Sequence, residues 1–280
     1  MTPSELYFHI SRSLENGGIE DSRFEAMCIT EHITGMKLQR LLLERSEIDK
    51  LKLTEADEII RRRILGEPLQ YLLGEWEFYG MPFYVGKGVL IPRADTETLV
   101  EFAIEEARKN GYYRILDLCS GTGCIACAVE AHVPDADITA VEISERAVSY
   151  LKRNIQLNKS KVKILKEDVL KIETAEKFEN ADMILCNPPY LTKEDMQNLQ
   201  LEVQSEPESA LFGGDDGLYF YRNITKIWRN TLSAGGRLVY EIGMGQESDV
   251  AEILEENGFN NITYKKDLSG ITRVVSGIKC

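Results

Sequence analysis

The chain has 280 residues, with 46 acidic side chains against 33 basic ones, a net charge of −13, and 43% hydrophobic and 28% charged residues. This is the composition of a globular protein long enough for one large core or two domains, and the acidic excess argues against a duplex nucleic-acid binder, which normally carries a basic footprint. No run approaches the roughly 18 apolar residues of a membrane span, and the start MTPSELYFHI has no signal-peptide pattern, so no membrane association and a cytoplasmic location are expected. Cys28, Cys119, Cys124, Cys127, Cys186 and Cys280 are too scattered for a disulfide scaffold, and with only 3 His to pair with them no metal site is expected.

Residues 1–73 read as a helical domain. Leu6, Ile10 and Leu14 recur at helical spacing before Gly17-Gly18, Ser22 with Glu25 suggests a capping box for a second helix, and Thr54 is expected to start another that ends near Gly66. Such a lobe serves either folding alone or docking of a macromolecular substrate. Residues 74–91 open with aromatics at short spacing around Gly80, a β-hairpin linker pattern. Arg93 follows the run VLIP, and Asp95 or Thr96 is expected to cap a helix reaching Lys109.

Residues 92–280 alternate strand and helix patterns, the signature of a parallel sheet covered on both faces. Strands are predicted at 114–118, 137–141, 162–165, 183–186, 236–241, 261–265 and 272–278, and helices at 124–132, 144–157, 217–232 and 246–257. The last two strands are separated only by Asp267 to Gly270 and should pair antiparallel at one end of the sheet. The segment 206–217, rich in Gly and acids, is either a linker or a loop near a substrate entrance.

Two stretches carry candidate chemistry. Asn187-Pro188-Pro189-Tyr190 follows the apolar run ADMILC, where an open α/β sheet binds ligands. Two prolines stiffen the bend, so the Asn187 side-chain oxygen and the Pro188 carbonyl could present paired acceptors to a planar NH2 group, with Tyr190 as an aromatic wall. An ordinary Pro-rich turn is the competing reading. Cys119-Ser120-Gly121-Thr122-Gly123 lies between the predicted strand ILDL and a helix, with Glu142 ending the next strand, placed to accept both hydroxyls of a ribose. Gly121, Gly123 and Ala126 also satisfy a dinucleotide fingerprint, which keeps an NAD-dependent oxidoreductase open. Asp117 beside the loop would repel a pyrophosphate yet suit the amino and sulfonium groups of S-adenosylmethionine, and Asp168 with Val169 could take an adenine amine and ring.

Jointly, DLCSGTG, VEIS, ED and NPPY resemble the class I, seven-stranded S-adenosylmethionine-dependent methyltransferases. GEPLQYLLGEWEFYGMPFYV, VLIPRADTE and EPESALFGGDDGLYFYRNI narrow the resemblance to the release-factor glutamine methyltransferases, the PrmC/HemK family. It runs from about Gly66 to the C-terminus. It implies a seven-stranded Rossmann-like domain behind a small helical domain, S-adenosyl-L-methionine as cofactor held by 119–123, Glu142, Asp168 and Val169, and a substrate glutamine, from the Gly-Gly-Gln loop of peptide chain release factors, held at Asn187 to Tyr190. Asn187 and Pro188 are the expected catalytic pair, acting on a protein partner without direct nucleic acid and as a monomer. Cys119 departs from the class, which usually has glycine there, and Ala94 from the family, which often has proline. A nucleic-acid base amine methyltransferase and a noncatalytic scaffold of the same fold are the alternatives.

Overall fold

The protein is described from a computed structural model covering residues 1–41 and 43–280. The chain divides into two compact units, Met1–Glu75 with Gln200–Ser205, and Trp76–Leu199 with Glu206–Cys280.

The first unit contains helices α1 (Pro3–Asn16), α2 (Ser22–Thr34), α3 (Leu38–Leu41), α4 (Lys50–Ile64) and α5 (Leu69–Leu73). Leu6, Ile10 and Leu14 form the buried stripe of α1, as their spacing demands. Two expected starts move. Asp21 is the residue before α2, and Glu25 spends its carboxylate on a bidentate pair with buried Arg63 (2.7 and 2.9 Å), so no capping box forms. Helix α4 begins four residues before Thr54, because Asp49 accepts from Leu51 N at 2.8 Å and caps it first.

Strands β1 (Glu75–Phe78) and β2 (Met81–Tyr84) form a two-stranded hairpin. Tyr79 and Gly80 both have positive φ (51° and 71°), the turn that matches strand twist. After a 3-10 turn at Ala94–Thr96 come α6 (Glu97–Asn110), β3 (Arg114–Leu118), α7 (Cys124–His132), β4 (Asp137–Glu142), α8 (Glu145–Leu157), β5 (Lys163–Lys166), α9 (Ile172–Ala175), β6 (Ala181–Cys186), α10 (Lys193–Gln197), α11 (Tyr219–Trp228), β7 (Leu232–Glu241), α12 (Glu247–Glu256), β8 (Phe259–Lys266) and β9 (Thr272–Lys279). The sheet order is β5-β4-β3-β6-β7-β9-β8, parallel from β5 to β7, with β9 antiparallel to both its neighbours. This is the α/β, seven-stranded arrangement that the alternation predicts.

Side-chain alternation divides the core between the two faces of the sheet. Ile115, Met183 and Leu185 join residues of α6 and α7 in one cluster, while Leu116, Leu118, Ile184 and Cys186 join α11 and α12 in the other. Helix α11 stops at Trp228, short of the predicted 232, because Leu232 already begins β7. Trp228 is fully buried, and its indole N–H donates to Val169 O at 2.8 Å, tying α11 to the loop after β5.

Candidate active site

Order 5-4-3-6 carries the chain outward on either side of β3, so the loops leaving β3, β4, β5 and β6 emerge at one end of the sheet, where such folds bind ligands. They surround a largely apolar cavity of about 290 Å³. Of the residues singled out in the sequence, Cys119, Ser120, Gly121, Thr122, Glu142, Asp168, Val169, Asn187 and Pro189 line it; so do Arg93, Thr96, Ile143 and Phe220. Asp117, Gly123, Pro188 and Tyr190 are not part of the lining.

The loop after β3 is held from several sides. Ser120 gives both its backbone N–H and its hydroxyl to Val141 O (3.2 and 2.9 Å), and Gly123 N donates to Ser120 O at 2.7 Å. Gly123 has φ +78°, a conformation that side-chain-bearing residues rarely adopt, and the tip of the Leu151 side chain on α8 fills the space a Cβ would take, 2.1 Å away. Cys119 has φ +59°, in the left-handed region, and thus keeps the backbone course that glycine would give. Its thiol lies beside that of buried Cys186, whose pKa is driven well up, first by burial and then by this neighbour.

Glu142 is buried at the end of β4. Its Oε2 accepts from Gly121 N and its Oε1 from Ser144 N, each at 2.8 Å, so the carboxylate fixes both flanking loops and retains a free lone pair on each oxygen at the cavity wall. Asp168 Oδ1 accepts from Leu170 N at 2.9 Å, while the adjacent Glu167 pairs with Lys177.

Asp117 lies beneath the loop instead of facing the cavity. It is fully buried, neither carboxylate oxygen has a hydrogen-bond partner, and burial pushes its pKa up to about 8.

Asn187 leaves the end of β6 half-buried, its Nδ2 directed to Thr96 Oγ1 at 3.4 Å. Thr96 therefore serves the site and makes no side-chain cap for α6. The bend that follows is clamped by the segment 206–217. Leu191 N donates to Leu211 O at 2.9 Å and Gly213 N to Leu191 O at 2.8 Å. Gly213 passes so close that a Cβ would sit 2.6 Å from Tyr190 Cα and 2.7 Å from Pro189 O. Tyr190 packs with the β-sheet cluster that includes Tyr221, its carbonyl accepts from Gln246 Nε2 at 3.2 Å, and burial pushes its hydroxyl up to about 12.

One residue beside this bend was not singled out in the sequence. Glu241, the last residue of β7, is 1% exposed, its Oε2 has no partner, and burial pushes its pKa up to about 7. The only signal for it in the sequence is an acid ending an apolar strand, which a solvated strand end would share.

Two sequence families match: residues 5–74 the PrmC N-terminal domain, and residues 95–211 the Methyltransferase small domain. The release factor glutamine methyltransferase of Thermodesulfovibrio yellowstonii is 40% identical over 255 residues, covering 90% of each chain. Its counterpart in Clostridium acetobutylicum is 39% identical over 238 residues, 83% of this chain and 82% of that one. That of Fusobacterium nucleatum is 40% identical over 235 residues, and the match spans 65% of its length. Among solved structures, the catalytic domain of hMettl16 in complex with a MAT2A 3′UTR hairpin aligns with a TM-score of 0.56 at 16% identity, covering 84% of this chain and 85% of that one. A methyltransferase from Pyrococcus furiosus aligns at 0.54 and 16%, covering 72% and 90%. These last two likenesses are of fold.

Proposed function

Since the chain belongs to the family of release factor glutamine methyltransferases, we propose that it methylates the side-chain amide nitrogen of the glutamine in the Gly-Gly-Gln loop of peptide chain release factors. The observation that carries the reading is Asn187, which lines the same cavity as the loop after β3 and Glu142.

The methyl donor is S-adenosyl-L-methionine, which supplies an electrophilic methyl carbon. The residues present fit it. Glu142 offers one free lone pair on each oxygen to a vicinal diol, the Gly121 backbone is open to the cavity with only Val89 near a notional Cβ (3.9 Å), and Val169 and Ile143 provide apolar walls for a flat ring.

An amide nitrogen is a poor nucleophile because its lone pair is delocalised into the carbonyl, and near neutral pH it cannot be deprotonated outright. Catalysis is therefore chiefly positioning and electrostatics. Asn187 Oδ1 accepts one N–H of the substrate amide, turns the nitrogen toward the donor, and draws off positive charge as the bond forms. The second acceptor expected from the motif, the Pro188 carbonyl, adjoins Asn187 from outside the cavity lining. The carbon–nitrogen bond forms as the donor's carbon–sulfur bond breaks, with the neutral thioether as leaving group, and the proton departs to water.

In this reading residues 1–73 form the docking lobe for the protein substrate, and the protein works in the cytoplasm. Among the described residues no helix is long and apolar enough to cross a membrane. Mass spectrometry of a release factor after incubation with this protein and the donor tests the proposal: one methyl group on the Gly-Gly-Gln glutamine is expected. An unmodified release factor, with DNA or ribosomal RNA methylated in parallel incubations, would transfer the site to a base amine.

A further inference from the structure

An asparagine side chain can present either its oxygen or its NH2 group, and only the oxygen serves the reaction proposed above, on which this inference rests. The sheet holds a device for choosing between them. Strands β6 and β7 pair in parallel with Cys186 beside Tyr240, so the next residues, Asn187 and Glu241, leave the sheet side by side. Glu241 is 1% exposed with an unpartnered Oε2, a costly placement for a carboxylate that only fills space. The Thr96 hydroxyl and the Asn187 amide lie close enough to oppose the upward shift that burial gives its pKa, and Asn187 Nδ2 points to Thr96 Oγ1 at 3.4 Å.

The donor inventory then decides the orientation. An ionised carboxylate only accepts, and a hydroxyl has a single hydrogen. With that hydrogen given to Glu241, Thr96 has only acceptor capacity left. Both groups behind Asn187 are then acceptors, which can be met only by NH2. We propose that Glu241, together with Thr96, is a positioning residue that locks the Asn187 amide with Nδ2 inward and Oδ1 toward the cavity.

Protonation of Glu241 would place a donor behind Asn187 and release the lock. Asp95 reinforces the upward shift that burial gives Glu241, while Arg273 opposes it. The other ionisable groups facing it stay protonated near neutrality: Tyr190 and Cys124 are pushed up to about 12, and Tyr221 and Cys186 well above their ordinary values. Glu241 is thus the carboxylate beside Asn187 whose charge changes close to pH 7, while Asp117, which acts on the same Cys124 and Cys186, is pushed up to about 8.

The test measures kcat against pH, donor affinity by calorimetry and thermal melting for wild type, Glu241→Gln, Thr96→Val, Asn187→Asp and the double variant Asn187→Asp/Glu241→Gln. Wild-type kcat should fall on the acid side with a midpoint near 7. Glu241→Gln should lower kcat about tenfold or more and abolish that acid limb, and Thr96→Val should lower kcat several-fold, both with donor affinity nearly unchanged. Asn187→Asp sets two carboxylates together, and adding Glu241→Gln should restore part of the melting temperature, because the new amide at position 241 can donate to the carboxylate introduced at position 187. Wild-type kcat in Glu241→Gln, an unchanged acid limb, or donor binding lost together with turnover would overturn the proposal. The melting cycle needs no methyl transfer, so a wild-type protein that leaves release factor unmodified refutes the proposed function and is told apart from failure of the lock.

Discussion

Arg93 and Glu206, 113 positions apart, form an ion pair at the rim of the cavity, and Ile91 N donates to the same carboxylate at 3.1 Å. The Glu206 side chain is 1% exposed, whereas that of Arg93 is 37% exposed and lines the cavity. The pair pins the start of the segment 206–217 to the stretch VLIPR, and that segment in turn clamps the Asn187 to Tyr190 bend.

Replacing Arg93 with Ala removes the countercharge from a carboxylate whose pKa burial already holds above its ordinary value. A loss of about 2 kcal/mol is expected, below the range for fully buried pairs because Arg93 is partly in water. Adding Glu206→Gln should recover part of it. Urea denaturation of the single and double variants measures the coupling, and additive effects would show that the two side chains do not depend on each other.

Asn187→Ala and Glu142→Ala should separate the two halves of the site. The first should cut turnover roughly a hundredfold with donor affinity nearly intact, since it removes an acceptor used as charge develops. The second should weaken donor binding about tenfold or more, because it removes a ligand to the diol and frees the loops that Gly121 and Ser144 anchor. Calorimetry with single-turnover kinetics distinguishes them; an unchanged donor dissociation constant in Glu142→Ala would remove that residue from the site.

Gly213→Ala tests the clamp. The added methyl group meets backbone atoms of Pro189 and Tyr190 that cannot swing aside, so the bend itself must shift. Stability should fall by about 1–3 kcal/mol and turnover by about tenfold, from misplacement of Asn187. A variant with the wild-type melting temperature and rate would mean the bend tolerates displacement.

Asp117 and Glu241, with pKa values pushed up to about 8 and about 7, set the pH dependence of stability. The folded protein holds both protons more tightly than the unfolded chain, so their contribution is complete below the ordinary carboxylate range near pH 4 and is lost as pH rises through 7 and 8. The donor-free protein should melt several degrees lower at pH 8.5 than at pH 5, and Asp117→Asn should flatten that decline. Identical pH profiles for the variant and wild type would show that Asp117 already carries its charge, or its proton, across the whole range.

The sheet was legible because alternating apolar runs and helical patterns are local. Ile115, Met183 and Leu185 face one core cluster, and Leu116, Ile184 and Cys186 the other, as period-two alternation requires. The loop after β3, Glu142 and Asn187 could be named because each sits at a strand end, and their loops converge on one cavity. What escaped depended on pairings distant in sequence. Glu25 has the spacing of a capping box but belongs to Arg63, 38 residues away. Thr96 looked like a helix cap and is turned to Asn187, 91 positions on. Tyr190, expected as an aromatic wall, is half-buried beside the cavity and not in its lining, with the close passes of Gly213 and Gly243 and the bond from Gln246 to its carbonyl fixing its course. Asp117 shows the limit of spacing alone: it stands two residues before Cys119, yet its carboxylate is sealed beneath the loop and not part of the cavity wall.

The pairing of Cys186 with Tyr240 also makes β6 and β7 intolerant of miscounting. Removing one residue from either strand would flip every position beyond the cut, delivering an apolar side chain where Asn187 or Glu241 now stands and sending the polar group into the opposite layer. Shortened forms of this protein therefore have room for deletions in exposed connections, whereas a single lost codon inside either strand would silence the enzyme before it unfolded the sheet.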